Sequence, residues 1–265
     1  MAKTEDQKLK DESQKRQQKS DVPSVEKALD IIELLSLRPN GLTMNELTRE
    51  LDRSMGEIYR IVVYLTNRGY VQRDESTDRY GMTLRMFELS HQFGPTDNIL
   101  KLASPILEKI SFRTEQSCHL AVLYKASILV LASSPSPRPA SYSVKAGATF
   151  PFMTTSSGVV ILSFLEEDKR DRYLASLPLG EQNVLMERLM RIKDQGYETA
   201  PSTLMHGVTN LSAPVFSRDG VVAAITTGFV LQYEQRCSLN EMAKEIRDGA
   251  KELSQLLGAG TDSLA

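Results

Sequence analysis

Few residues in this chain are of the types that do covalent chemistry, and their spacing argues against catalysis. The three histidines are His91, His119 and His206, and the two cysteines are Cys118 and Cys237. Cys118 and His119 are neighbours in an apolar, strand-like run, so their side chains point to opposite faces and cannot pair as nucleophile and base. The run Thr155-Ser156-Ser157-Gly158 lacks the Gly-x-Ser-x-Gly form of a nucleophile elbow. No His/Cys metal spacing, Walker loop or Gly-x-Gly-x-x-Gly occurs, so no enzyme, metal or cofactor is expected. The two widely spaced cysteines make no disulfide framework, which favours a reducing, cytoplasmic setting.

The chemistry the residues do offer is recognition. Residues 53–73 hold Arg53, Arg60, Arg68 and Arg73 against one acid, Glu57, while residues 26–52 hold three basic and six acidic side chains. The whole chain has a formal net charge of −2, so any nucleic-acid surface must be local. Guanidinium groups grouped on one element suit phosphates and guanine edges.

Such groups need a scaffold. Val25, Ala28, Leu29, Ile32 and Leu35 recur at helical spacing after a possible cap at Ser24, and Arg38-Pro39-Asn40-Gly41 ends that helix. Thr43-x-x-Glu46 and Ser54-x-x-Glu57 are two capping boxes a few residues apart. The first starts a short helix burying Leu47 and Leu51. The second starts a helix with Ile58, Ile61, Val62 and Leu65 inward and Gly69 at its end. Two capped helices after an amphipathic one define a helix-turn-helix. Residues 70–82, with a polar tip at 74–78, then read as a β-hairpin wing.

In the second capped helix the face opposite the core carries Gly56, Arg60, Val63 and Asn67, with Tyr59 and Tyr64 flanking. The DNA-binding set is therefore Arg53, Ser54, Gly56, Glu57, Tyr59, Arg60, Val63, Asn67 and Arg79, with Arg79 reaching phosphate from the wing. Glu57 either reads a cytosine amino group or closes its capping box. Tyr59 either touches phosphate or lies along the surface. A winged helix that binds protein rather than DNA is the alternative.

Beyond the wing, residues 83–113 return to a helical pattern broken at Gly94-Pro95. Strand-like runs at 118–124, 128–132, 141–145, 208–216 and 221–229 then mix with helical stretches at 155–165, 166–176, 181–195 and 239–257. An α+β chain follows: a disordered tail over 1–21, with a DNA-binding arm as the alternative, a winged helix-turn-helix over 22–83, a helical linker over 84–97, and a C-terminal domain on an antiparallel sheet over 98–260. The tail is expected to be disordered because its lysine, glutamine and acidic residues bury too little surface to offset chain entropy. The composition, 41% hydrophobic and 25% charged, is that of a globular protein, and no apolar stretch approaches the ~20 residues of a membrane helix.

Ser24-Val25-Glu26-Lys27-Ala28-Leu29-Asp30, Tyr59-Arg60 and Gly69-Tyr70-Val71 resemble the head of the IclR family of transcription regulators. The runs from Gly147 to Gly158, Gly196-Tyr197, and Gly207-Val208 through Ala213-Pro214-Val215-Phe216 to Ile225 resemble its C-terminal part. The resemblance covers about residues 22–258. It implies a GAF-like effector-binding domain, a dimer or dimer of dimers, and a double-stranded DNA operator controlled by a small-molecule effector.

Matched by motif, the implied pocket comprises Ser156, Ser157 and Gly158 at a helix start, Asn210, Leu211, Thr226 and Thr227 on strands, and Phe150, Phe152, Met153 and His119 as a wall. His119 is otherwise a packed core histidine. A helix N-terminus with neutral polar partners suits an organic or aromatic acid. The chain departs from the family pattern at this loop, where Met153 replaces a histidine and Val159 a lysine. It also departs between the two helix-turn-helix helices, where Asp52-Arg53-Ser54-Met55 stands for Gly-Leu-Pro.

Overall fold

The computed structural model describes residues 22–92 and 94–260. The tail over 1–21, expected to be disordered, lies outside the described residues. The chain divides into two compact units, 1–93 and 94–265. Each is described by itself.

The first unit opens with α1 (Pro23–Ser36). The expected Ser24 cap is not used. Pro23 takes the first turn, where its missing N–H costs nothing, and Val22 occupies the cap position without a side-chain bond. Ile31 and Leu35 carry the buried face, whereas Val25 and Leu29, expected inside, are 54% and 52% exposed. β1 (Leu42–Thr43) leads into α2 (Met44–Glu50), and α3 (Met55–Asn67) follows. Both capping boxes form. Thr43 N–H donates to Glu46 Oε2 at 2.8 Å, and Ser54 N–H donates to Glu57 Oε2 at 3.0 Å. Each box satisfies first-turn donors that the helix cannot satisfy itself.

β2 (Val71–Asp74) and β3 (Arg79–Met82) make the wing. Its tip is held by Asp74 Oδ1, which accepts from Ser76 N–H at 2.8 Å. β1, too short to leave a sequence pattern, joins as a third strand in the order β1-β3-β2. Ile31, Leu35, Leu47, Ile58, Val62 and Val71 form the core beneath. α4 (Arg85–His91) ends the unit.

The second unit begins with α5 (Gly94–Thr114). β4 (Cys118–Tyr124), β5 (Ser127–Ser134), β6 (Thr149–Pro151), β7 (Glu198–Pro201), β8 (Val208–Ser217) and β9 (Gly220–Val230) form one antiparallel sheet ordered β6-β5-β4-β9-β8-β7. The strand expected at 141–145 is irregular chain, and the pairing segment is β6, which meets β5 at Ile128↔Phe150. One sheet face packs on α5 and α9 (Leu239–Leu256) through Leu120, Leu211, Ile225, Ile106, Ile110 and Ile246. The other packs on α6 (Ser156–Phe164), α7 (Glu167–Leu174) and α8 (Leu179–Gln195) through Ala121, Ala224, Val160, Ile161 and Leu189. No described helix is long and apolar enough to cross a membrane.

Candidate functional site

In the head, α3 turns Ile58, Val62 and Leu65 into the core, and Gly56, Tyr59, Arg60, Val63, Tyr64 and Asn67 to the surface. Arg60 makes no hydrogen bond or ion pair among the described residues, so its guanidinium projects without an intramolecular partner. The other charged groups expected to meet DNA are engaged within the domain. Both Glu57 oxygens are used: Oε2 accepts from Ser54 N–H and Oγ–H, and Oε1 accepts from Lys27 Nζ at 2.9 Å. The Ser54 backbone N–H first, then Lys27, hold its pKa down at about 2.

Arg79 donates to the Gly41 carbonyl at 2.9 Å and to Glu46 Oε2 at 3.0 Å, which ties the wing to the start of α2. Its expected role as a wing contact to phosphate thus meets a competing structural one. Arg53 lies loosely between Glu26 and Asp30, at 3.8 and 3.7 Å. Arg68 donates to the Tyr64 hydroxyl at 3.2 Å.

In the second unit, cross-strand register decides which polar side chains meet. His119 pairs with Thr226, and Thr226 with Ser212, so these three share the face under α6. Cys118, Thr227 and Leu211 form the adjacent row and point to the opposite face, toward α5 and α9. Leu211 and Thr227 therefore do not belong to the pocket. Side chains alternate along a strand, so neither can share a wall with its neighbour Asn210 or Thr226. Cys118 donates from Sγ to the Leu107 carbonyl at 3.1 Å, and burial pushes its thiol up to about 12, so it is inert.

On the α6 side a cavity of about 30 Å³ is lined by His119, Asn210, Thr226, Ser156 and Ser157. That is room for about two waters. Phe150, Ser117, Thr155, Ile128, Tyr142, Val144, Thr203, Leu204 and Gly228 complete the wall. Ser117 and Gly228 lie two residues from His119 and Thr226, a period-2 signal readable in advance. Tyr142 and Leu204 come from irregular segments and left no such signal.

Three expected residues lie elsewhere. Phe152 is buried in the core with its ring edge-on to Tyr173 at 4.8 Å, and Met153 packs against the same cluster. Gly158 is a packing glycine. A Cβ there would stand 1.7 Å from the Phe152 carbonyl oxygen, so only glycine lets α6 pass over that backbone.

Among the lining groups, Ser157 Oγ meets Thr226 Oγ1 at 2.9 Å, and Thr226 Oγ1 meets Ser212 Oγ at 2.7 Å. Thr155 caps α6 by accepting from Gly158 N–H at 3.3 Å. The Ser156 and Ser157 N–H groups have no partner among the described residues. His119 is 9% exposed and has no hydrogen bond among the described residues. Burial pushes its pKa down to about 4, so the ring is neutral at pH 7 and presents one donor and one acceptor. No lysine, arginine, aspartate or glutamate lines the cavity.

A winged helix-turn-helix joined in one chain to a pocketed α/β unit is the architecture of a DNA-binding transcription regulator. The sequence profile of the IclR helix-turn-helix domain matches residues 24–75, and that of the bacterial transcriptional regulator IclR C-terminal domain matches residues 95–255. The chain belongs to the IclR family of transcriptional regulators. It is 25% identical over 252 residues to the HTH-type transcriptional regulator KdgR of Escherichia coli, covering 91% of this chain and 95% of that one. It is similar in fold to the crystal structure of Thermotoga maritima IclR, with TM-score 0.74 and 22% identity over 88% of this chain and 98% of the other. An IclR homolog from Microbacterium hydrocarbonoxydans complexed with 4-hydroxybenzoate superposes with TM-score 0.76 at 19% identity, again over 88% and 98%.

Proposed function

We propose that this regulator reads its operator with the exposed face of α3, centred on Arg60, and is switched by a small organic acid, aliphatic or aromatic, held between α6 and the sheet. The observation that carries the effector half is His119, a buried imidazole without a hydrogen bond among the described residues, on the wall of a cavity floored by the first turn of α6. The Ser156 and Ser157 N–H groups, without a partner among the described residues, sit where the helix dipole favours an anion, and His119 and Asn210 suit a hydroxyl at the other end. With no cation in the lining, a single carboxylate fits better than a dianion. The 4-hydroxybenzoate held by the Microbacterium homolog is a molecule of this kind.

A second copy of the chain supplies the second DNA half-site in this reading. The exposed apolar Val25 and Leu29 of α1, and Leu84 and Met86 at the start of α4, suit burial by such a copy. The regulator then works in the cytoplasm as a dimer or dimer of dimers. Effector binding changes operator affinity to the extent that it prefers one arrangement of the dimer.

Calorimetry and thermal shift with 4-hydroxybenzoate, lactate and their amides test the effector half. Stabilisation by an acid, absent with its amide and lost in His119→Ala, is expected. A ligand 100-fold above its Kd should add about 2.7 kcal/mol. Stabilisation by uncharged apolar ligands only would contradict the reading.

A further inference from the structure

The cavity has little free room, so an effector must displace part of its wall. Two wall segments have no regular structure: 202–207, which contributes Thr203 and Leu204, and the longer 135–148, between β5 and β6, which contributes Tyr142 and Val144. Tyr142 lies against Gly228, where an added Cβ would meet its ring carbons at 3.0 Å. The far end of the segment is pinned to β5, with Gly147 N–H on the Val130 carbonyl at 2.8 Å. Its near end is pinned instead to the residue that follows the last of α5.

That residue is Glu115. Ser136 Oγ donates to the Glu115 carbonyl at 2.7 Å, and Arg138 Nε donates to Glu115 Oε2 at 2.6 Å. Arg236, from the segment after β9, donates to Glu115 Oε1 at 3.1 Å, and Arg138 also holds the Glu234 carbonyl at 2.7 Å. Glu115 sits at φ +54, in the left-handed region. A left-handed residue just past the last helical one is a common way to end a helix, and glutamate stands here where glycine is usual. The carboxylate is largely sheltered, 19% exposed, unlike the exposed pairs Lys109–Glu252 and Arg113–Glu245 that tie α5 to α9.

We propose that Glu115 is the positioning residue of the effector pocket: through Arg138 it couples the 135–148 wall to the end of α5, so that displacing the wall displaces α5. α5 is the first helix after the DNA-binding unit in the chain, which makes this link the start of the route from pocket to head. The proposal rests on the reading of the cavity as an effector site. Its test needs no effector, so failure to find a ligand and failure of the link are separate results.

The chain contains no tryptophan. Phe112→Trp therefore places one reporter in the last turn of α5, at a position 63% exposed where the Arg236 guanidinium stands 5.6 Å from the ring. In the full-length chain with this reporter, Gly228→Ala pushes Tyr142 from the pocket side, and Tyr142→Ala removes the ring should Gly228→Ala fold poorly. Either change is expected to shift the tryptophan emission by a few nanometres. The shift should vanish when Arg138→Ala or Glu115→Gln is added, and persist when Arg113→Ala is added instead. A merely structural Glu115 would leave the increment intact. A shift of equal size with and without Arg138, or no shift from either pocket-side change, overturns the proposal.

Discussion

Ser157 Oγ and Thr226 Oγ1 lie 2.9 Å apart, a buried contact that ties the first turn of α6 to the centre of the sheet. Thr226 is also 2.7 Å from Ser212, so one hydroxyl serves two partners and the three form a chain beside the cavity. Helix, strand and pocket wall are thereby held in one register.

Thr226→Val keeps the shape and removes the middle hydroxyl. Ser157 and Ser212 are both buried, and each loses its hydroxyl partner. A loss of about 1–3 kcal/mol in the unfolding of the C-terminal unit is expected, read by calorimetry. Effector affinity should fall as well, because Ser157 is no longer held at the cavity edge. An unchanged melting temperature would mean the chain of hydroxyls adds nothing.

Gly158→Ala should be much worse. Its Cβ would overlap the Phe152 carbonyl oxygen, a backbone atom that cannot swing aside. Overpacking of this kind costs about 3 kcal/mol or more. Expression and circular dichroism of the variant check this, and a fully folded protein of wild-type stability would contradict the close approach.

His119 makes stability depend on pH. Its folded pKa, about 4, lies below the ordinary histidine value because burial disfavours the charged ring. Between those two values the unfolded chain binds the extra proton, so this contribution is complete above about pH 6.5 and shrinks as pH falls toward 4. The full difference is of order 3 kcal/mol. Denaturation at pH 7 and pH 4.5 should show a smaller acid loss for His119→Gln than for wild type. Identical pH dependence would show that His119 does not titrate this way.

Arg79→Ala separates a structural arginine from a DNA-contacting one. Loss of its bonds to Gly41 and Glu46 should cost the head about 1 kcal/mol. The salt slope of operator binding should then stay within experimental error. A drop of about 0.9 per protomer in that slope, ~1.8 for a dimer, would assign Arg79 a phosphate instead.

Periodic signals made much of this molecule legible from its sequence. The two capping boxes located α2 and α3 because Thr43, Glu46, Ser54 and Glu57 act within one helical turn. The apolar stripe of α3 then fixed its outer face. Legibility failed where a residue's role is set by distant chain. Val25 and Leu29 have the rhythm of a buried face but lie beyond the reach of the small core. Arg79 looks like a wing cation, yet its partner Glu46 is 33 residues away in sequence. The motif match puts Leu211 and Thr227 in the pocket, although strand alternation excludes them once Asn210 and Thr226 are inside. Tyr142 and Leu204 sit on irregular segments, where no period announces which way a side chain turns.

The most direct test of the central claim is a fluorescence-anisotropy titration of the full chain on the intergenic DNA beside its own gene, wild type against Arg60→Ala. Arg60 is exposed on α3 and has no intramolecular partner among the described residues, so its removal should leave the melting temperature unchanged. The loss of a base or phosphate contact is worth about 1–3 kcal/mol, and a dimer carries two copies, so binding should weaken at least ~10-fold. Wild-type binding that is absent, or that Arg60→Ala leaves unchanged, would contradict the account.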